Sequence, residues 1–325
     1  MKDYIARAVT VGGQVRAFAA KTTDTVAEAA RIHNLSPIAS AALGRTLTAA
    51  AIMSKMLKSE KDTLTIQIKG DGPLGGVVVV SDAHANVRGY VHNPDVYLPL
   101  SSDGKLNVSQ AIGRGYLNVI KDLGLKEPYI GYVKLVSGEI GEDIAYYFAS
   151  SEQIPSAVSL GTYISPEGKI LSAGGFVIQL LPEADEKIIS FLEKKLQEIP
   201  PVSNMLYEGK TPEDILKYIF EGMKDLELKI TEKSPCKYKC NCSRERMERN
   251  IVALGVEEIQ DMIEEQEGAE VHCHFCNTRY WFDVKELERL KNEALAVKDE
   301  AKTIETNEEE AAAKKTEGES IKKNQ

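Results

Sequence analysis

Four cysteines crowded into two short clusters constrain this chain more than anything else in it. Cys240-Asn241-Cys242 is followed, thirty residues later, by Cys273-His274-Phe275-Cys276. Brought together, the two pairs supply four thiolates, the donor set of a closed tetrahedral zinc site with Zn–S bonds of about 2.3 Å. Asn277 tolerates the left-handed backbone that ends such a turn, and 278–282 reads as the strand leaving a knuckle hairpin. Between the pairs, the spacing predicts two short amphipathic helices, one carrying Met247, Ile251 and Leu254, the other Ile259, Met262 and Ile263. Together with Tyr280, Trp281 and Phe282 these make a core too small to be stable alone. One zinc ion is therefore expected on Cys240, Cys242, Cys273 and Cys276, and not on Cys236, His272 or His274. If 272–274 is extended, the two histidines alternate onto the face opposite Cys273.

Charge removes one use of such a site. Residues 234–290 hold eight Lys/Arg against twelve Asp/Glu, and the whole chain has a net charge of −9. Nucleic acid is excluded as a partner on that ground. A thioredoxin-like catalyst would place Cys-x-x-Cys at the start of a helix after a strand, whereas Cys273-x-x-Cys276 precedes a strand. Two readings remain. Common structural zinc sites use Cys-x₂₋₄-Cys pairs, and Cys-x-Cys departs from them. Neighbouring cysteines in each pair can form local disulfides when zinc is expelled, which would make the site a redox switch. The residues alone leave the structural site and the switch equally open.

The rest of the chain is expected to be α+β: a mixed α/β core domain over 1–180, an amphipathic helical connector over 181–232, the zinc-binding domain over 233–290, and a helix extension with a disordered tail over 291–325. Strands are predicted at 4–9, 15–18, 64–68, 77–80, 87–91, 117–120, 129–135, 158–164 and 175–181. Val77 to Val80 is a continuous β-branched run suited to a buried strand. Thr25 with Glu28 reads as a capping box, and Ser36-Pro37 as the cap and first turn of a long alanine-rich helix. That apolar stretch, 38–57, is broken by Ser40, Gly44, Arg45, Thr46, Thr48, Ser54 and Lys55, so it is a core helix and no membrane is expected as partner. Five cysteines in 325 residues are too few for a disulfide scaffold, and a cytoplasmic location is expected. Gly70-Asp71-Gly72-Pro73-Leu74-Gly75-Gly76 has the letters of a dinucleotide fingerprint but runs into Val77 to Val80, so it reads as a hairpin. Ser81, Asp82 and His84 lie too close in sequence for a triad assembled from separate elements, and the chain is not expected to be an enzyme. In the connector, Ile188, Leu192 and Leu196 lie on one helix stripe, and Ile215, Ile219 and Phe220 on another. Exposed, these six side chains are the candidate surface for binding unfolded protein. Residues 303–325 hold only Ile304 and Ile321 as large apolar side chains and are expected to be disordered.

The paired cysteines, together with Gly70 to Gly76, 87–94 (Val-Arg-Gly-Tyr-Val-His-Asn-Pro), 151–157 (Ser-Glu-Gln-Ile-Pro-Ser-Ala) and Ala173-Gly174-Gly175-Phe176, resemble the redox-regulated heat-shock protein 33 family over about residues 1–290. The resemblance implies an ATP-independent holdase of the bacterial cytosol, inactive while reduced and zinc-bound. It further implies that oxidation joins Cys240 to Cys242 and Cys273 to Cys276, releases zinc, loosens the connector, and accompanies homodimerisation and capture of unfolding client proteins. Cys236 and the segment from Lys291 onward extend that pattern. Cys236 is expected to compete for Cys240 by thiol–disulfide exchange. A structural zinc-ribbon adaptor without a switch is the alternative function.

Overall fold

Sixteen of the eighteen residues of Pro37–Ser54 are buried, so this helix has no solvent face and needs structure on both sides of it. In a computed structural model of the chain, describing residues 2–102, 104–182, 184–223, 227–266, 268–296 and 298, two sheets supply those sides. Strands β1 (Tyr4–Thr10) and β2 (Val15–Lys21) lead into helices α1 (Thr23–His33) and α2 (Pro37–Ser54). Next come β3 (Thr63–Gly70), β4 (Val77–Asp82), β5 (Asn86–Val91), α3 (Val108–Ile112), β6 (Gly115–Asp122) and β7 (Tyr129–Lys134). Helix α4 (Gly141–Ser150) precedes β8 (Ser156–Ile164) and β9 (Ile170–Leu180). Three helices follow, α5 (Glu186–Gln197), α6 (Val202–Tyr207) and α7 (Pro212–Phe220), and then β10 (Leu228–Pro235) and β11 (Lys237–Tyr238). The remaining elements are α8 (Arg244–Leu254), α9 (Val256–Gln266), β12 (Gly268–His272), β13 (Arg279–Asp283) and a helix over 284–296.

The chain divides into two compact units. The first holds the residues up to Cys240 together with His274–Cys276, and the second holds Asn241–Cys273 and the residues after Cys276. In the first unit one sheet runs β10-β1-β2-β9-β8 and the other β11-β5-β4-β3-β6-β7. All pairings are antiparallel except β11 with β5. Helix α2 packs against strands of both sheets. Alanine and glycine on α2 permit that close approach: a Cβ on Gly44 would sit 2.7 Å from Thr162 Oγ1 and 2.8 Å from Val26 Cγ1. Two hydroxyls inside the helix are satisfied locally, those of Thr46 and Thr48 donating to the carbonyls of Ala42 and Gly44, both at 2.8 Å.

The first sheet is covered on both faces. Ile5, Phe18, Ala20 and Val177 face α2. Ala6, Ala8, Ala17, Ala19, Phe176 and Ile178 face α5, α6 and α7. Alternation along β3 and β4 buries Leu64, Ile66, Ile68, Val77 and Val79, while Val78 and Val80 are half-buried, so the β-branched run has one buried face and not two.

Local expectations fare according to whether a distant residue intervenes. Ser36 caps α2, its Oγ accepting from the Ala39 N–H at 3.3 Å with Pro37 in the first turn. Gly70 to Gly76 does join two antiparallel strands, and Gly76 has φ +144°, a conformation open to glycine. Asp82 Oδ1 accepts from the His84 and Asn86 N–H groups, both at 3.0 Å, which makes it a turn residue. The Thr25–Glu28 capping box is absent. Helix α1 starts at Thr23, three residues earlier than a Thr25 cap would place it, and Thr25 is held instead by Asp3, whose Oδ2 accepts both the Thr25 N–H at 2.7 Å and its hydroxyl at 2.8 Å. Helices α3 and α6 and strands β10 and β11 were not foreseen. Residues 303–325, expected to be disordered, lie outside the described residues.

Candidate metal centre

Each cysteine pair sits where a regular element ends. Strand β11 pairs in parallel with β5, and the Lys239 N–H donates to the Val87 carbonyl at 2.9 Å, which carries the chain to Cys240. Beyond Cys242, Ser243 caps α8 by accepting from the Arg246 N–H at 3.3 Å. The second pair lies in the turn between β12 and β13. There the Cys273 N–H donates to the Thr278 carbonyl at 2.9 Å, and the Asn277 N–H to the Cys273 carbonyl at 2.8 Å. Asn277 has φ +55°, the left-handed turn residue that the sequence predicts.

The sulfurs of Cys240, Cys242, Cys273 and Cys276 all lie within 4.8 Å of one another. On a regular tetrahedron of 2.3 Å Zn–S bonds, sulfurs stand about 3.8 Å apart, so this spacing accommodates a tetrathiolate zinc. Cys273 is buried and the other three are half-buried. Among the described residues, neither His272, His274 nor Cys236 belongs to the group. When bound, zinc would supply cross-links between four chain positions and hold the thiolates deprotonated.

Strand alternation sorts the aromatic residues expected in the small core. Phe282 is fully buried in a cluster with Met247, Ile251, Ile259, Leu287 and Leu290, and Tyr280 packs beside it. Trp281, between them on β13, points the other way and is 55% exposed, so it is not a core residue. Leu254, expected on the buried face of α8, is 50% exposed at the end of that helix. Tyr280 has a further role that its apolar packing hid: its hydroxyl donates to Cys242 Sγ at 3.2 Å. The alternation placing Tyr280 and Phe282 on one face was the available signal.

Residues His274–Cys276 group with the first unit. The Phe275 ring meets Tyr90 at 5.3 Å and the Arg88 guanidinium at 5.1 Å, while the His274 ring lies 5.6 Å from Tyr90. The Tyr238 hydroxyl donates to the Phe275 carbonyl and interacts with His33 Nε2 at 3.1 Å. Burial lowers the His33 pKa, favouring the neutral ring. Cys236 sits in the core of the first unit with its sulfur 3.6 Å from Thr25 Oγ1, and burial pushes its pKa up to about 12. A protonated, enclosed thiol is no nucleophile. The expected exchange of Cys236 with Cys240 is therefore opposed by the fold.

The connector positions are closed. Ile188, Leu192, Ile215, Ile219 and Phe220 are buried against the alanine-rich face of the first sheet, and Leu196 is partly buried there.

Comparison with known proteins agrees with this arrangement. The family described as Hsp33 protein matches residues 3–283. The chain belongs to the Hsp33 family. A "33 kDa chaperonin" of Acetivibrio thermocellus is 60% identical over 290 residues, 89% of this chain and 97% of that protein. Another of the same name, from Caldanaerobacter subterraneus, is 55% identical over 90% of this chain and 99% of its own length. The crystal structure of the heat shock protein 33 homologue of Thermotoga maritima, a 33 kDa chaperonin, superposes with a TM-score of 0.83 at 40% identity. It covers 91% of this chain and 100% of its own. The Hsp33 relationship thus bears out the α+β reading and extends across both cysteine pairs. Among the described residues, no helix is long and apolar enough to cross a membrane.

Proposed function

We propose that this chain is a redox-regulated, ATP-independent holdase of the cytoplasm. On this reading it is inactive while its four thiolates hold one zinc ion and is activated when they are oxidised. The convergence of Cys240, Cys242, Cys273 and Cys276 within 4.8 Å carries this reading, and the chaperonin name shared by the relatives supports it. Oxidation joins the cysteines within each pair. Four thiolates give up four electrons to two molecules of peroxide; with four protons this yields two disulfides, four waters and a free zinc ion. Structural zinc supplies apparent binding energies of about 10–16 kcal/mol, comparable to or exceeding the whole stability of a domain, about 5–15 kcal/mol. Losing it should unfold the second unit.

The consequence for the first unit follows from connectivity. Edge strands β10 and β11 lead directly to Cys240, and the connector helices precede them. Once Cys240 is no longer tethered, these edges fray and the connector loosens. Ile188, Leu192, Leu196, Ile215, Ile219 and Phe220 then become available to unfolding proteins and to a second copy of the chain. A Cys-x-Cys disulfide closes a very small ring, so Cys273–Cys276 is expected to oxidise first and Cys240–Cys242 to complete activation. The test is aggregation of a thermally unfolding enzyme, measured with zinc stoichiometry and free-thiol count before and after peroxide. The reduced protein should protect weakly and the oxidised protein strongly, with one zinc released and four thiols lost. Equal protection in both states would overturn the switch and favour a structural zinc adaptor.

A further inference from the structure

A cavity of about 510 Å³ opens in the first unit beyond the C-terminal end of α2, well within the size range of small-molecule sites. Its walls are apolar: Met53, Met56 and Leu57 at the end of α2, and Phe148 and Ile154 at and beyond the end of α4. One side is cationic. Arg16 donates from Nη2 and Nε to Gln179 Oε1, at 2.6 and 3.1 Å. Gln179 is fully buried, and its own amide nitrogen donates to Ser156 Oγ at 3.2 Å, so its oxygen is committed to Arg16. That partner is neutral. Among the described residues, Arg16 makes no ion pair, although its guanidinium remains charged at any working pH.

A second guanidinium aggravates the imbalance. Arg7 and Arg16 lie over the same buried Phe18 ring, at 5.8 and 5.7 Å, and Arg7 Nε is buried without a hydrogen-bond partner. Burial, and after it the Arg7 charge, work against the charge on Arg16, while the Glu152 carboxylate favours it. The carboxylates lining the cavity are otherwise engaged. Glu152 accepts from Lys121 and from the Tyr147 hydroxyl, and Asp62 accepts the N–H groups of Lys58 and Ser59 at 3.3 and 3.0 Å. A half-buried cation facing an apolar cavity, with Glu152 acting on it only from a distance and no carboxylate among the described residues paired to it, is complemented by an anion with an apolar body.

We propose that this cavity binds a small amphipathic monocarboxylate, its headgroup on Arg16 and its hydrocarbon among Met53, Met56 and Phe148. Asp62 and Glu152 beside the same cavity disfavour polyanions such as nucleotides. Octanoate, 1-octanol and octylammonium, titrated calorimetrically into the reduced, zinc-loaded full chain, test the site. Octanoate should bind once per chain and at least about tenfold tighter than either analogue, the scale of a charge-assisted hydrogen bond. Arg16→Met should abolish that preference, and Met56→Trp should fill the cavity and abolish binding. The methyl resonances of Met53 and Met56 in the unsubstituted chain should shift on adding octanoate, a readout that does not depend on either variant folding. Equal affinity for octanoate and octanol, a preference that survives in Arg16→Met, or unmoved methionine signals would each overturn the proposal.

Discussion

At the residue scale, the centre depends on groups around the sulfurs as well as on the sulfurs. The Tyr280 hydroxyl donates to Cys242 Sγ, and partners that hydrogen-bond metal ligands typically hold about 10–100-fold of metal affinity. Tyr280→Phe should weaken zinc binding by a factor in that range while leaving four reactive thiols, measured by competition against a chelator of known affinity. Cys236 gives the opposite kind of prediction. An ordinary thiol titrates near 9.0, and the folded Cys236 near about 12. Below pH 9 both folded and unfolded chains keep the proton and nothing changes. Between those values only the unfolded chain releases it, so this group makes the folded state lose stability as pH rises. Cys236→Ala should flatten that alkaline loss in urea titrations and leave the zinc stoichiometry at one. The convergence of Cys240, Cys242, Cys273 and Cys276 was legible in the sequence because two tight turns and a return path demand little else. Asp3 capturing Thr25 was not, since their contact spans twenty-two residues and belongs to the tertiary fold.

At the element scale, periodicity exposed what each segment buries, but not which partner it buries against. The stripes of α5 and α7 were readable from spacing, and the side chains of their caps Asp185 and Thr211 accept from the backbone N–H groups of Ile188 and Asp214. Strand β10 was not readable. Its sequence, Leu-Lys-Ile-Thr-Glu-Lys-Ser-Pro, is that of a solvated edge, and its partner β1 lies over two hundred residues earlier. If docking of α5 to α7 restrains activity, weakening it should mimic oxidation. Ile219 is fully buried in that layer, and Ile219→Ala should cost about 2–5 kcal/mol of packing. The reduced, zinc-loaded variant should then suppress client aggregation measurably above the unsubstituted reduced protein. Unchanged basal protection, with faster amide exchange in α7 confirming a loosened helix, would show that docking is not the restraint.

At the scale of the whole molecule, the division of labour follows from the size of each core. The first unit has α2 enclosed by two sheets and a second apolar layer under α5 to α7, so it has ample buried surface of its own. The second unit buries a handful of side chains around Phe282, among them Met247, Ile251 and Ile259. Such a core is marginal without a cross-link. A metal that binds only the folded form stabilises it by an amount that grows with the logarithm of free metal, about 1.4 kcal/mol per tenfold. Calorimetric melting of the reduced chain should therefore show two transitions. The one from the second unit should rise with buffered free zinc and vanish on chelation. The first unit's transition should be nearly independent of zinc, with β3, β4 and α2 still protected from amide exchange after chelation. Under the proposed function, that separation would let the switch discard one folded unit while the other stays intact to hold clients. A single transition moving as a whole with zinc would mean that the metal stabilises the entire chain, and the proposed release of the connector from a standing first unit would be wrong.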